Sequence, residues 1–302
     1  MRVAALDCGT NSLRLLVTDL DGHGKADVHR EMRVVRLGQG VDRTGVLAPE
    51  ALARTRHALL DYAATCRDLG VERTRLVATS ATRDAANRDD FVGLVEEALG
   101  VPPEVVTGDE EAALSFLGAT AGLDPAEGPF AVTDIGGGST EVVLGTTAVE
   151  AALSVDIGCV RLTERHLHDD PPTADQVASA RADVDAALER VAAAVPAGTA
   201  RTAIGLAGSV TTVAAIALRL PSYQPERIHL SRLSAAEVRE VTARLLAMTR
   251  EERAALPVMH PGRVDVIGGG ALVLLAAVER FCWSEVLVSE ADILDGIALS
   301  LG

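Results

Sequence analysis

Short apolar runs and amphipathic stretches follow one another along this chain in two successive rounds. The opening stretch to about residue 37 alternates apolar and polar positions and carries Asp21-Gly22, a two-residue hairpin signal. It predicts a short antiparallel meander. Residues 49–69 have helical periodicity and stop at Gly70, a C-cap glycine. A strand follows at 76–79, a helix at 84–99 ending on Gly100, a short strand at 104–106 and a helix at 109–120. The turn-rich segment 122–129 then breaks the pattern and marks a boundary. The second round has strands at 130–134, 141–144 and 150–155 and helices at 159–168 and 173–195. A strand at 202–206 feeds a helix from about 209, and helices follow at 234–248 and 263–281. A strand at 286–289 and a closing helix at 293–301 end it. Such alternation predicts an α/β fold of two similar domains, 1–122 and 123–302. Residues 291–302 are free to pack back onto the first.

Each round opens on the same small motif. Asp7-Cys8-Gly9-Thr10-Asn11-Ser12-Leu13-Arg14 precedes an apolar run, and so does Asp134-Ile135-Gly136-Gly137-Gly138-Ser139-Thr140-Glu141. Both read as a hairpin with a tip of small residues, and such a tip can aim several N–H groups at one phosphate. A glycine-rich turn on its own is commonly just a turn. Two copies in one register, each entered by a strand ending in Asp, favour phosphate binding by Gly9, Thr10, Asn11, Ser12, Gly136, Gly137, Gly138 and Ser139. Neither loop has the G-K-[ST] ending of a mononucleotide loop, and no G-x-G-x-x-G opens a helix.

Composition narrows the chemistry. The net charge of −15 argues against nucleic acid, and an anionic substrate would need a locally positive or metal-screened site. No apolar stretch is long enough to span a membrane, and the N-terminus runs straight into a strand rather than a secretory signal. The four cysteines are dispersed without a C-x-x-C pair, as expected of a reducing cytoplasm. The seven histidines show no zinc spacing.

Taken together, ALDCGTNSLRLL at 5–16, ATSATRDAAN at 78–87, TGDEEAALSFLGA at 107–119, TDIGGGSTEVV at 133–143, IGCVRLTE at 157–164 and GLAGSVTT at 205–212 resemble one family. The chain is similar to the exopolyphosphatase and guanosine pentaphosphate phosphatase family, within the actin-like ATPase superfamily. The resemblance implies two ribonuclease-H-like domains, each a central mixed sheet flanked by helices, with the active site in the interdomain cleft. It also implies a homodimer.

Glu111 is the candidate general base. Thr107 and Glu110 have capping-box spacing, which explains Glu110 structurally but not Glu111. Its position matches the catalytic glutamate of the family the chain resembles, where it would take a proton from the attacking water. Asp7, Asp134 and Glu141 are candidate ligands of Mg2+ or Mn2+, shared with phosphate oxygens; local turn hydrogen bonds are the other account of the two aspartates. Arg14 and Arg83 are candidate phosphate contacts, with Arg33, Arg36 and Arg161 as weaker ones for steering a chain. Arg14 reads equally as a surface residue. Gly208 and Ser209 read equally as a second phosphate seat or as close helix–strand packing, whereas packing is the safer reading of Gly268, Gly269 and Gly270.

The expected reaction is magnesium-dependent release of terminal orthophosphate from inorganic polyphosphate. Longer relatives carry an added C-terminal helical domain, and the chain's end before it suggests short-to-medium substrates. The alternative substrate is guanosine pentaphosphate (pppGpp). Readings from other classes are an actin-like ATP-dependent kinase and a non-catalytic polyphosphate or alarmone sensor.

Overall fold

The apolar run at the start of the chain becomes a strand flanked on both sides. β1 (Arg2–Cys8) is buried from Val3 onward because β2 (Ser12–Asp21) lies antiparallel on one edge and β4 (Arg73–Ala78) parallel on the other. β3 (Gly24–Val34) pairs with β2, and β5 (Glu104–Val105) with β4, giving the order β3-β2-β1-β4-β5. In this computed structural model residues 1–21 and 24–302 are described. Gly22 of the predicted Asp21-Gly22 turn lies outside the described residues, although Asp21 and Gly24 are paired across the hairpin.

The second round repeats the arrangement. β6 (Phe130–Ile135), β7 (Thr140–Gly145) and β8 (Val149–Val155) form an antiparallel meander. β9 (Thr202–Leu206) joins β6 in parallel, β11 (Glu285–Val288) joins β9, and β10 (Arg232–Ser234) closes the edge. The order is β10-β11-β9-β6-β7-β8. Both sheets are mixed and flanked by helices.

The chain divides into two units, Met1–Gly118 with Ile293–Gly302, and Ala119–Asp292. In the first, Leu6, Leu15, Leu59, Tyr62, Phe91 and Val95 join one sheet face to the helices Pro49–Asp68 and Arg88–Leu99. The opposite face packs Leu16 and Val77 against Leu114, Leu294 and Ile297 of the helices Gly108–Thr120 and Ile293–Leu299. Asp295, 1% exposed, receives Lys25 Nζ at 2.8 Å and Arg30 Nη2 at 2.6 Å. Gly296 lies so close to Leu114 that a Cβ there would overlap the Leu114 carbonyl. In the second unit, helices Ala174–Ala194, Ala207–Ala217, Ala235–Ala247 and Ile267–Arg280 contribute Val184, Leu188, Val213, Leu245 and Val273 to one large apolar core.

Several boundaries differ from the periodicity. The helix expected over 84–99 is broken into Ser80–Asp84 and Arg88–Leu99, with Ala85 extended. Asn87 causes the break: its side chain accepts from Leu47 N at 2.8 Å and donates to Leu47 O at 3.1 Å. That pair of tertiary bonds replaces a turn of helix. The helix expected from 263 begins at Ile267, after a 3-10 turn at Pro261–Arg263. Strand β10 and the short helices Pro225–Ile228 and Arg250–Ala254 carried no periodic signal long enough to read.

Candidate active site

The two loops occupy equivalent places in the two sheets. Each joins the first antiparallel pair of its sheet, at the end where the neighbouring parallel strand turns into a helix. Crevices beyond the carboxyl ends of parallel strands are where α/β sheets bind ligands. The same hydrogen bond closes both loops: Gly9 N donates to Ser12 O, and Gly136 N to Ser139 O, each at 3.0 Å. A Cβ at Gly136 would stand 3.1 Å from that oxygen, so the turn favours glycine.

The loop carbonyls face protein. In the first loop, Thr10 O accepts from Gly38 N at 2.8 Å, and Asn11 O from Val35 N and Arg36 N at 3.1 and 2.9 Å. In the second, Gly136 O accepts from Cys159 N, and Gly137 O from Val160 N and Arg161 N. Among the described residues the amides of Gly137, Gly138 and Ser139 meet no protein acceptor. Consecutive N–H groups left this way form a seat for an anion.

The loop roots differ as their residues require. Asp7 is directly opposite Arg14, and Asp134 directly opposite Glu141. Arg14 turns onto Asp7, with Nε and Nη2 donating to one carboxylate oxygen at 2.9 and 2.7 Å. Asp7 therefore already has a cation at its side. Asp134 and Glu141 are 7% and 1% exposed and form a like-charge pair across β6 and β7. Such a pair is unfavourable unless something positive bridges it. Its oxygen donors suit a hard divalent cation that completes its shell with phosphate oxygens and water. The Ser154 hydroxyl, directly opposite on β8, donates to Glu141 Oε1 at 2.7 Å and orients it. No group of three or more His, Cys, Asp or Glu side chains suited to a metal occurs among the described residues.

Glu111 sits in the first turn of Gly108–Thr120, 7% exposed. Its Oε2 accepts from Arg83 Nη1 at 3.1 Å, and the same nitrogen donates to Val106 O at 2.9 Å. Arg83 thus ties the carboxylate to the end of the sheet. Glu110 forms the capping box with Thr107, and those hydrogen bonds hold its carboxyl below the usual range. Thr10 reaches Ser80 at 3.0 Å between hydroxyl oxygens, linking the first loop to the helix that carries Arg83. Nothing in the spacing signalled Ser80, and Ser154 was missed as well; the one signal for it is its place opposite Glu141 in the hairpin register.

Other expected residues have different surroundings. The face of Gly208 is covered by the Arg263 guanidinium, whose Nη1 donates to Thr212 Oγ1 at 3.3 Å. Ser209 packs against Gly270. Ala207 before them has φ of 66°, a left-handed conformation rare outside glycine. Gly205 approaches Val210 and Val286, and Gly269 approaches Cys159 O and Thr163, so these glycines serve close packing. Arg33 pairs with Glu31 and Asp61 and lies over the Tyr62 ring. Cys8 and Cys159 adjoin the loops, but burial pushes both thiols up, so neither supplies a thiolate nucleophile at neutral pH. No helix among the described residues is long and apolar enough to cross a membrane.

Known proteins resemble this chain in sequence and fold. Exopolyphosphatase 2 of Mycobacterium tuberculosis is 55% identical over 314 residues, covering 99% of this chain and 98% of that protein. The crystal structure of an exopolyphosphatase-like protein superposes with a TM-score of 0.97 at 44% identity, covering 100% and 99% of the two chains. An Aquifex aeolicus Ppx/GppA family member gives 0.84 at 30% identity, covering 100% and 97%. The Ppx/GppA phosphatase family model matches residues 16–301. A family model spanning nearly the whole chain, and a relative 55% identical from end to end, place it plainly: the chain belongs to the Ppx/GppA phosphatase family.

Proposed function

We propose that this chain is a metal-dependent exopolyphosphatase that releases orthophosphate from the end of inorganic polyphosphate. Glu111 carries the reading. It is a buried carboxylate in a helix's first turn, its capping role is filled by Glu110, and Arg83 holds it in one orientation. Binding phosphate alone would not call for such a group; hydrolysis does, because water must lose a proton as it attacks phosphorus. The similarity to Exopolyphosphatase 2 supports polyphosphate as the substrate class.

In this reading the amides of Gly137, Gly138 and Ser139 bind phosphate oxygens, and Ser12 and Thr10 belong to the matching loop of the first unit. Arg83 lies beside the base and offsets phosphoryl charge. Magnesium or manganese held by Asp134 and Glu141 would polarise a phosphoryl oxygen. Glu111 orients water and takes its proton, and the departing phosphate chain is one unit shorter. Positioning and charge neutralisation supply most of the acceleration in such reactions.

The test is orthophosphate release from polyphosphate and from guanosine pentaphosphate, each with magnesium, manganese or a chelator. Release from polyphosphate that the chelator abolishes is expected. Release from guanosine pentaphosphate alone would assign the alternative substrate, and nucleotide binding without release would overturn hydrolysis.

A further inference from the structure

The helix Cys159–His166 begins in an unusual way. Its N-cap, Gly158, supplies no side-chain cap, although the first N–H groups of any helix need acceptors. They find them in the second loop. Cys159 N donates to Gly136 O at 2.9 Å, Val160 N to Gly137 O at 2.9 Å, and Arg161 N to Gly137 O at 3.1 Å. The backbone reaches no further, and the Arg161 side chain completes the row: its Nε donates to Gly138 O at 2.7 Å. Three consecutive carbonyls are thereby held toward one helix. In a trans peptide the carbonyl of one residue and the N–H of the next point in opposite directions. Fixing the carbonyls of 136, 137 and 138 therefore turns the amides of 137, 138 and 139 to the other side. Those are the amides that have no acceptor among the described residues. Gly158 permits the approach, since a Cβ there would overlap the Gly137 carbonyl. In the first loop the backbone amides of Val35, Arg36 and Gly38 hold the Asn11 and Thr10 carbonyls in the same sense.

We propose that Arg161 is a positioning residue for the second loop: it orients the Gly138–Ser139 peptide so that the Ser139 amide faces phosphate, and acts through its Nε–H rather than through charge on the substrate. This rests on the phosphatase reading and gives Arg161 a role other than steering a polyphosphate chain.

Three substitutions separate the two roles. Gln places its amide nitrogen where Arg has Nε, without charge. Lys keeps the charge but has a methylene at that position, and Met has neither donor nor charge. Turnover of tripolyphosphate with magnesium should rank wild type and Arg161→Gln together, within about threefold. Arg161→Lys and Arg161→Met should lose about 10²-fold in kcat/KM, the scale of one misplaced oxyanion donor. Unfolding temperatures should stay within a few degrees of wild type. Activity kept by Arg161→Lys and lost by Arg161→Gln would overturn the proposal in favour of charge, and equal activity in all variants would overturn it outright. Should Arg161→Met not fold, the Gln–Lys order decides alone. If wild type releases no phosphate, the phosphatase reading fails. The thermal shift given by tripolyphosphate then decides the inference: it should survive in Arg161→Gln and vanish in Arg161→Lys, and the reverse order would overturn it.

Discussion

Glu111→Gln separates binding from chemistry. Glutamine fills the same volume in a site that is 7% exposed and keeps an oxygen to accept from Arg83. What it loses is charge and basicity. A hydrogen bond to a charged group contributes about 1.5–3 kcal/mol and a neutral one about 0.5–1.5. The variant should therefore be less stable by about 1 kcal/mol, or about 2–4 °C in unfolding temperature. Loss of a positioned general base costs ~10²–10⁴ in rate, which is about 2.7–5.4 kcal/mol of barrier at 1.36 kcal/mol per decade. The catalytic loss thus exceeds the stability loss severalfold, and the two can be told apart in one preparation. Steady-state phosphate release from polyphosphate should show kcat lower by at least two decades and KM within about threefold. A fall in kcat of less than tenfold in a folded variant would refute the assignment of Glu111 as the base.

Asp134→Asn should raise the magnesium concentration for half-maximal activity at least tenfold, read by metal titration; an unchanged midpoint would remove Asp134 from the metal site. Asp295→Asn should destabilise the fold by about 1–3 kcal/mol at pH 7 in urea unfolding, since its partners Lys25 and Arg30 are only partly buried. Burial pushes the Asp295 carboxyl up, but Arg30 and Lys25 more than offset this and hold it below the usual range. A carboxyl lowered on folding stabilises above its unfolded pKa of about 3.9 and loses that contribution as pH falls through the folded value. The difference between wild type and Asp295→Asn should therefore narrow below about pH 4; a gap that widens in acid would contradict the pairing. Gly296→Ala should cost about 1–3 kcal/mol by forcing the closing helix off Leu114, measured as a lower unfolding temperature.

Much of the architecture was legible because its causes are local. The meander of β1, β2 and β3, the end of the first long helix at Gly70 with φ of 70°, and the Thr107–Glu110 capping box each arise within a few residues. The two glycine loops were recognisable for the same reason, since their closing bonds run from a glycine to the serine three residues on. The break at Ala85 was not legible, because Leu47 supplies the competing hydrogen bonds to Asn87. The two equal readings of Gly208, phosphate seat or close packing, could not be separated in the sequence, because the Arg263 guanidinium that covers it lies far along the chain.

By itself the sequence determined the repeated hairpin, the order of the longer strands and helices, and the residue types available for phosphate, metal and base. Hydrophobic periodicity and turn chemistry act over the span of one element, so they can be read in order along the chain. The tertiary structure decided which of those residues touch. Thr10 meets Ser80 from 70 positions away, Glu111 meets Arg83 from 28, and Asp295 is brought to Arg30 across 265. It also decided that Arg14 turns onto Asp7 and Arg161 onto the Gly138 carbonyl. A long polar side chain settles on whichever partner packing brings within hydrogen-bond reach, and no spacing rule along the chain encodes that distance.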